Sequence, residues 1–393
     1  MATDNLTPVT RAGRYVLQPS GYRAFMPSPL PPEPPVELSG TLQTLLSQAD
    51  RALGRLDGSI QTLPHPDLFL FMYIRKEAVL SSQIEGTQSS LQDLLVAEAN
   101  IFSPNRPRDV DEVVNYVHAM RYGLDRLSQL PVSIRLIREI HAQLLRGRRG
   151  SLLTPGELRA SQNWIGPGGC TLTEAVFVPP PPNEVPQRLS ELERFIHADT
   201  ELPLLVKIGL VHAQFETIHP FLDGNGRVGR LLITFLLCER EVLRKPVLYL
   251  SYFFMRHRQE YYDRLQAVRD EGAWEQWLIF FLRGIVEVSG QAADTARRIL
   301  ALREEHRRII TERFGRAAGN GHRVLEHLYE NPFITVRDVQ TLNGTTYPAS
   351  NTLVAKMADA GILREVTGQT RNRLFGYQSY INLFDDRAAE TAS

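Results

Sequence analysis

Apolar residues recur at helical spacing through most of this chain. Leu204, Ile208, Val211, Phe215 and Ile218 mark one face of a helix predicted over Leu202–Ile218, with Pro203 suited to its first turn. Pro220 biases the backbone of His219 out of the α region, so that helix should stop there. An apolar, buried-looking helix resumes over Val228–Cys238. The pattern is also helical from Leu42 to about Leu95, twice between Asp109 and Leu145 around Pro131, and over the charged stretch Gln291–Gly315. Residues 163–180 break the pattern: they are turn-rich, then β-like, and end at a proline. Three more helices follow, over Arg323–Tyr329, Thr335–Thr341 and Ala349–Ala360, with strand-like segments at Leu363–Val366 and Leu374–Tyr377. That order predicts a winged helix-turn-helix with Arg371 and Arg373 in its wing. Residues 1–37 are polar and Pro-rich, which predicts an extended arm rather than a domain.

The corner between the two central helices reads His219-Pro-Phe-Leu-Asp-Gly-Asn-Gly-Arg-Val-Gly-Arg230. It opens onto a helix N-terminus, whose unpaired N–H groups and dipole favour anions. Arg227 and Arg230 lie three apart on that first turn. Cations at a positive helix end are locally unfavourable, each by roughly 0.3–1 kcal/mol, so an anionic partner is expected. Gly224 and Gly226 permit the close backbone approach of a phosphate nest. Asp223 can hold Mg²⁺ between phosphate oxygens, and His219 can take a proton from a hydroxyl. Together these groups suit transfer of a nucleotide phosphate to a hydroxyl.

A second motif lies far upstream. In Arg75-Lys-Glu-Ala-Val-Leu-Ser-Ser-Gln-Ile-Glu-Gly-Thr87, Ser81 and Glu85 share a helix face, and Gly86 sits where a helix end is expected. A glutamate in the last turn opposes the helix dipole. This misplaced carboxylate and the misplaced arginines suggest a partnership.

The loop resembles the signature of the Fic family, His-Pro-Phe-x-Asp-Gly-Asn-Gly-Arg-x-x-Arg, and meets every fixed position. The resemblance implies transfer of AMP from ATP to a Ser, Thr or Tyr hydroxyl of a protein, with release of pyrophosphate. It implies His219 as base, Asp223 as Mg²⁺ ligand, and Gly224, Asn225 and Gly226 as anion hole. Arg227 would contact the phosphates and Arg230 the γ-phosphate, with Val228 and Gly229 counted in the nucleotide-binding run. The Ser-x-x-x-Glu-Gly segment resembles the inhibitory helix of one Fic class, in which Glu85 would pair with Arg230 while Ser81 anchors the helix. The 163–180 segment resembles the family's flap, which assigns Ala175, Val176 and Phe177 to target docking by strand addition. Of the aromatic run Leu250–Leu265, the Tyr-Tyr pair would border the adenine, and Tyr261 is chosen. His212 reads as a satisfied core residue.

Lys plus Arg total 44 and so do Asp plus Glu, so no global charge steers the chain to nucleic acid or membrane. Residues 291–393 hold 14 Lys plus Arg against 12 Asp plus Glu, so DNA binding by the winged helix stays level with a dimerisation or target-recruitment role. No apolar stretch is long enough to span a bilayer, no signal peptide is legible, and Cys170 and Cys238 make no disulfide framework, so a cytoplasmic location is expected.

The expected fold is all-α: a Fic-type helical core with a β-hairpin flap, plus a C-terminal winged helix-turn-helix domain. Its expected parts are the arm 1–37, a helical region with the inhibitory helix over 38–108, the catalytic core over 109–290, a connector helix over 291–320 and the winged helix over 321–388. The partner is a target protein bearing the hydroxyl, with self-modification and a homodimer left open. Two rivals stand beside AMP transfer. The same site could remove AMP, with Glu85 positioning water, or use another nucleotide. Alternatively, the protein is a DNA-binding, nucleotide-sensing transcriptional regulator.

Overall fold

A computed structural model describes residues 9–61, 66–99, 107–147, 154–368 and 373–384. It is mostly helical, as expected. The helices run α1 (Gly40–Gln61), α2 (Pro66–Ile84), α3 (Leu91–Glu98), α4 (Val110–Leu127), α5 (Ile134–Leu144), α6 (Val185–His197), α7 (Leu204–Ile218) and α8 (Asn225–Glu239). They continue with α9 (Ser251–Arg256), α10 (Arg258–Glu271), α11 (Trp274–Arg313), α12 (Ala318–Glu330), α13 (Val336–Asn343), α14 (Tyr347–Asp359) and α15 (Gln378–Ile381).

The centre is α7, whose residues are buried without break from Ile208 to Ile218. A helix apolar on all sides has no solvent face to offer, so α6, α8, α10 and α11 enclose it. Helix α2 is also buried nearly all round, and it carries Arg75, Lys76 and Glu77 inside. Arg75 pairs with Glu98, and Glu77 takes the Ser251 N–H at 3.1 Å and the Tyr116 hydroxyl at 3.2 Å. These bonds seat α2 against α3, α4 and α9 and fix where its C-terminal end points.

Three expectations change. The Pro-rich arm contains an antiparallel hairpin, β1 (Gly13–Leu17) with β2 (Arg23–Pro27), registered from Gly13–Pro27 to Leu17–Arg23. Its pattern suits a half-buried pair: Phe25 is buried while Leu17 faces solvent. Arg11 ties its base to the core through Glu275 and the Gly272 carbonyl. Second, no break separates core from connector at residue 290. Helix α11 runs unbroken for 40 residues, because Val288, Ala292, Ala296 and Ile299 continue one buried stripe. Third, the flap is narrower than a hairpin of strands. It has one bridge, Ile165–Phe177, and a 3-10 turn at Leu172–Glu174, and the Phe25 N–H bonds Val178 O at 2.9 Å.

Beyond α11 come α12, β3 (Phe333–Thr335), α13, α14, β4 (Arg364–Glu365) and β5 (Leu374–Gly376), with the strands ordered β3-β5-β4. Three-residue β3 is too short to show a period in sequence. Arg373 donates to Asn351 Oδ1 at 3.0 Å, and Arg371 lies outside the described residues. No helix among the described residues is long and apolar enough to cross a membrane.

Candidate active site

Helix α7 ends at His219, which adopts φ 49°, ψ 61°. Pro220 keeps His219 out of the right-handed α region, and the left-handed conformation closes the helix where the sequence predicts its end. The His219 N–H bonds Phe215 O at 3.0 Å, and its Nδ1 lies 3.3 Å from Glu216 O. A carbonyl only accepts, so Nδ1 carries the hydrogen and Nε2 keeps its lone pair. Burial first, then the cations Arg269 and Arg159, pushes the imidazole pKa down to about 3. The ring is therefore neutral and able to accept a proton.

Helix α8 begins one residue after Gly224, whose φ of 80° suits glycine. Gly224 has no side chain to cap the first turn, so the N–H groups of Asn225, Gly226 and Arg227 reach the loop without intrahelical acceptors. The Asn225 side chain is spent differently. It accepts from Phe221 N at 2.8 Å and donates to Phe221 O at 2.7 Å, which makes it a staple for the turn. Asp223 accepts from Gly224 N at 2.7 Å and keeps a side chain 37% exposed at the loop mouth.

The two arginines are both buried. Arg227 bonds Glu112 at 3.0 Å and Asp223 at 3.3 Å. Arg230 donates to Ser81 Oγ at 2.8 Å, Ser81 O at 2.9 Å and Glu85 Oε1 at 2.6 Å. Burial opposes the Arg230 charge, and Glu85 outweighs it, holding the guanidinium above its ordinary pKa. Glu85 stands just past the end of α2, before Gly86 at φ 102°. A β-carbon at Gly226 would fall 2.3 Å from Glu85 Oε1, so a carboxylate fills the space beside the start of α8. The upstream and loop motifs, 145 residues apart, meet here.

Other sequence candidates sit elsewhere. Tyr261 is 1% exposed, stacks on Phe254 and bonds its hydroxyl to His212 Nε2 at 2.8 Å. It is core, because its face of α10 meets α7, α9 and α11. Its neighbour Tyr262 is 38% exposed, and after burial the Glu85 carboxylate is the next cause raising its pKa. Val228 and Gly229 also turn from the loop: Val228 is fully buried, and a β-carbon at 229 would meet Glu216 Oε1 at 2.2 Å. His212 is satisfied at both nitrogens, with Nδ1 donating to Gly229 O at 3.0 Å. In the flap, Phe177 is buried beneath Arg269, Val176 is 60% exposed and Ala175 lies between. The Phe177 side chain therefore cannot dock a target.

The sequence did not single out Arg159, Asn163, His141 or Arg269, which surround the loop, and of the Tyr-Tyr pair it favoured Tyr261 over the more exposed Tyr262. His141 left one signal, a histidine on the apolar face of α5 beside Leu136, Ile137 and Ile140.

Two family profiles match, one described as "Fic/DOC family N-terminal" over residues 43–125 and one as "Fic/DOC family" over residues 131–237. Residues 43–125 and 131–237 are of the Fic/DOC family. The second match contains the whole His219–Arg230 loop, and the first contains Ser81 and Glu85. A probable protein adenylyltransferase of Aquifex aeolicus (strain VF5) is 29% identical over 211 residues, covering 52% of this chain and 58% of that protein. The protein adenylyltransferase Fic of Drosophila melanogaster is 27% identical over 229 residues, covering 55% of this chain and 44% of that one. The chain thus spans about half the length of these curated relatives. A crystal structure of a Fic family protein from Desulfovibrio desulfuricans G20 matches at TM-score 0.58 and 18% identity, over 87% of this chain and 97% of that one, which shows a shared fold.

Proposed function

We propose that this protein is an adenylyltransferase that moves AMP from ATP to a Ser, Thr or Tyr hydroxyl of a target protein, under restraint by Glu85. The observation that carries the reading is a neutral, half-buried imidazole joined by one tight loop to an anion-receiving helix start. Two buried arginines flank that start. The names of the relatives support the same activity.

His219 Nε2 takes the proton of the docked hydroxyl. The oxygen forms a bond to the α-phosphorus of ATP as the bond to the β-phosphate oxygen breaks, and pyrophosphate leaves. The N–H groups of Asn225, Gly226 and Arg227 and the Arg230 guanidinium meet the negative charge, so catalysis is mainly positioning and neutralisation. Asp223 is an oxygen donor partly open to solvent, which fits Mg²⁺ carried by ATP and its added neutralisation of phosphate charge. Glu85 competes with the γ-phosphate for Arg230, while Ser81 keeps Arg230 in place.

We read the C-terminal helices and sheet as a winged helix that recruits a protein partner. The exposed face of α14 carries Tyr347, Thr352 and Ala355, with Lys356 and Asp359 cancelling in charge, which suits a protein better than a phosphate backbone.

The test uses ATP labelled at the α- or the γ-phosphate, offered in parallel to Glu85→Gly and Glu85→Gly/His219→Ala. Label from the α-phosphate alone, lost in the double variant, is expected. Label from the γ-phosphate would replace this reading with kinase-like chemistry.

A further inference from the structure

The turn from Ile218 to Asp223 puts a row of backbone carbonyls beside a site meant for phosphate, and carbonyl oxygens repel phosphate. Donors from outside the turn take most of them. Asn163 Nδ2 donates to Phe221 O at 2.8 Å, and His141 Nε2 lies 3.0 Å from Asp223 O. The Gly156 N–H donates to His141 Nδ1 at 2.9 Å, so Nε2 carries the hydrogen. Arg159 takes more than either. Its Nε donates to His219 O at 2.8 Å, Nη2 to Ile218 O at 3.4 Å and to Pro180 O, and its backbone N–H to Pro220 O at 2.9 Å.

We infer that Arg159 is a positioning residue for His219: it clamps the left-handed turn at 219, aims Nε2 at the loop and joins that turn to the end of the flap. This rests on the proposed role of His219 as base. A non-glycine residue at φ 49° is unfavourable alone and persists only where its surroundings hold it. Arg159 is 3% exposed, and no ion pair joins it to a carboxylate among the described residues. A buried cation solvated by carbonyls alone is expensive, which argues that its geometry serves more than packing. The C-terminal end of α7 helps hold it, since a helix dipole is negative there. Only a planar fork of N–H donors reaches Ile218, His219 and Pro180 at once; an ammonium has one nitrogen. Through Pro180, the segment expected to dock the target and the base that deprotonates it share one side chain.

The test compares Arg159→Ala and Arg159→Lys in the Glu85→Gly background. For Arg159→Ala, kcat for AMP transfer should fall by about 100-fold, the scale of an ångström-sized misplacement. KM for ATP should stay within about threefold, since the nest and Arg230 are untouched. Arg159→Lys should recover part of kcat, and added guanidinium ion should rescue Arg159→Ala. Nitrogen-15 histidine spectra without nucleotide should show His219 protonated at Nδ1 in the parent and a mixed tautomer in Arg159→Ala. The inference is overturned if kcat stays within about twofold of the parent. It is also overturned if kcat falls only in step with the folded fraction and guanidinium restores nothing. Should Arg159→Ala not fold, the kcat-against-KM split of Arg159→Lys decides. Should the Glu85→Gly parent transfer no AMP, the adenylyl-transfer reading fails, and the tautomer comparison alone settles Arg159.

Discussion

The α7–α8 corner and the α13–α14 unit both join two helices through a short turn, yet they are built from opposite materials. Around α13 and α14 the interior is Val324, Leu325, Leu328, Val339, Leu353, Val354 and Met357. Its helix starts are capped by short side chains: Thr335 accepts from Asp338 N at 3.2 Å, and Asp338 Oδ2 accepts from Thr335 N at 2.8 Å. The α7–α8 corner buries Arg159, Arg227, Arg230, Arg269, His212, Glu216 and Asn225. Burying a charge costs several kcal/mol before pairing, and well-packed apolar residues usually do as well for stability. The C-terminal unit shows how this chain builds a helix pair where stability is the need. The charges at the other corner are those that the proposed chemistry uses.

The largest break in that contrast is His219→Ala. Transfer should fall by about 10²–10⁴-fold with ATP binding kept, read by transfer assay and calorimetry. Undiminished transfer would remove His219 as base. Next, Asn225→Ala strips Phe221 N of its acceptor and leaves Phe221 O only the Asn163 donor, and should destabilise by about 1–3 kcal/mol in a denaturant titration while lowering transfer. Thr335→Ala in the other unit should cost about 1 kcal/mol with transfer unchanged. Equal effects on transfer would erase the difference between the two regions. A gentler check is pH. With the His219 pKa down near 3 from its ordinary 6.5, the free base persists as pH falls through 6.5, so kcat/KM should show no acid limb there. A limb at 6.5 would mean a solvated imidazole. Smallest of all, the C-terminal unit should leave duplex DNA unshifted at low salt, where electrostatic binding is strongest.

The loop was legible because its candidate groups are contiguous: imidazole, carboxylate, glycines and arginines lie in one stretch, and their expected helix ends hold within a few residues. Glu85 was legible through misfit, a carboxylate at the wrong end of a helix. The β1–β2 hairpin was hidden by the prolines around it, and the continuity of α11 by its charged surface. Tyr261 and Tyr262 could not be separated, since neighbours on a helix point about 100° apart and the sequence does not say which one meets the core. Arg159 and Asn163 lay in a turn-rich segment with no period to orient them. Only the packed fold brings them to carbonyls about 60 residues away.

In the proposed mechanism, Glu85 withholds Arg230 from the nucleotide. The measurement that tests it most directly is the AMP-transfer rate of Glu85→Gly against the wild type at saturating ATP and Mg²⁺, with folding and ATP affinity measured on the same samples. Coupling of this kind is worth about 1–3 kcal/mol, so a rise of roughly 5–150-fold is predicted. An unchanged rate in a folded variant that binds ATP as the wild type does would contradict the account.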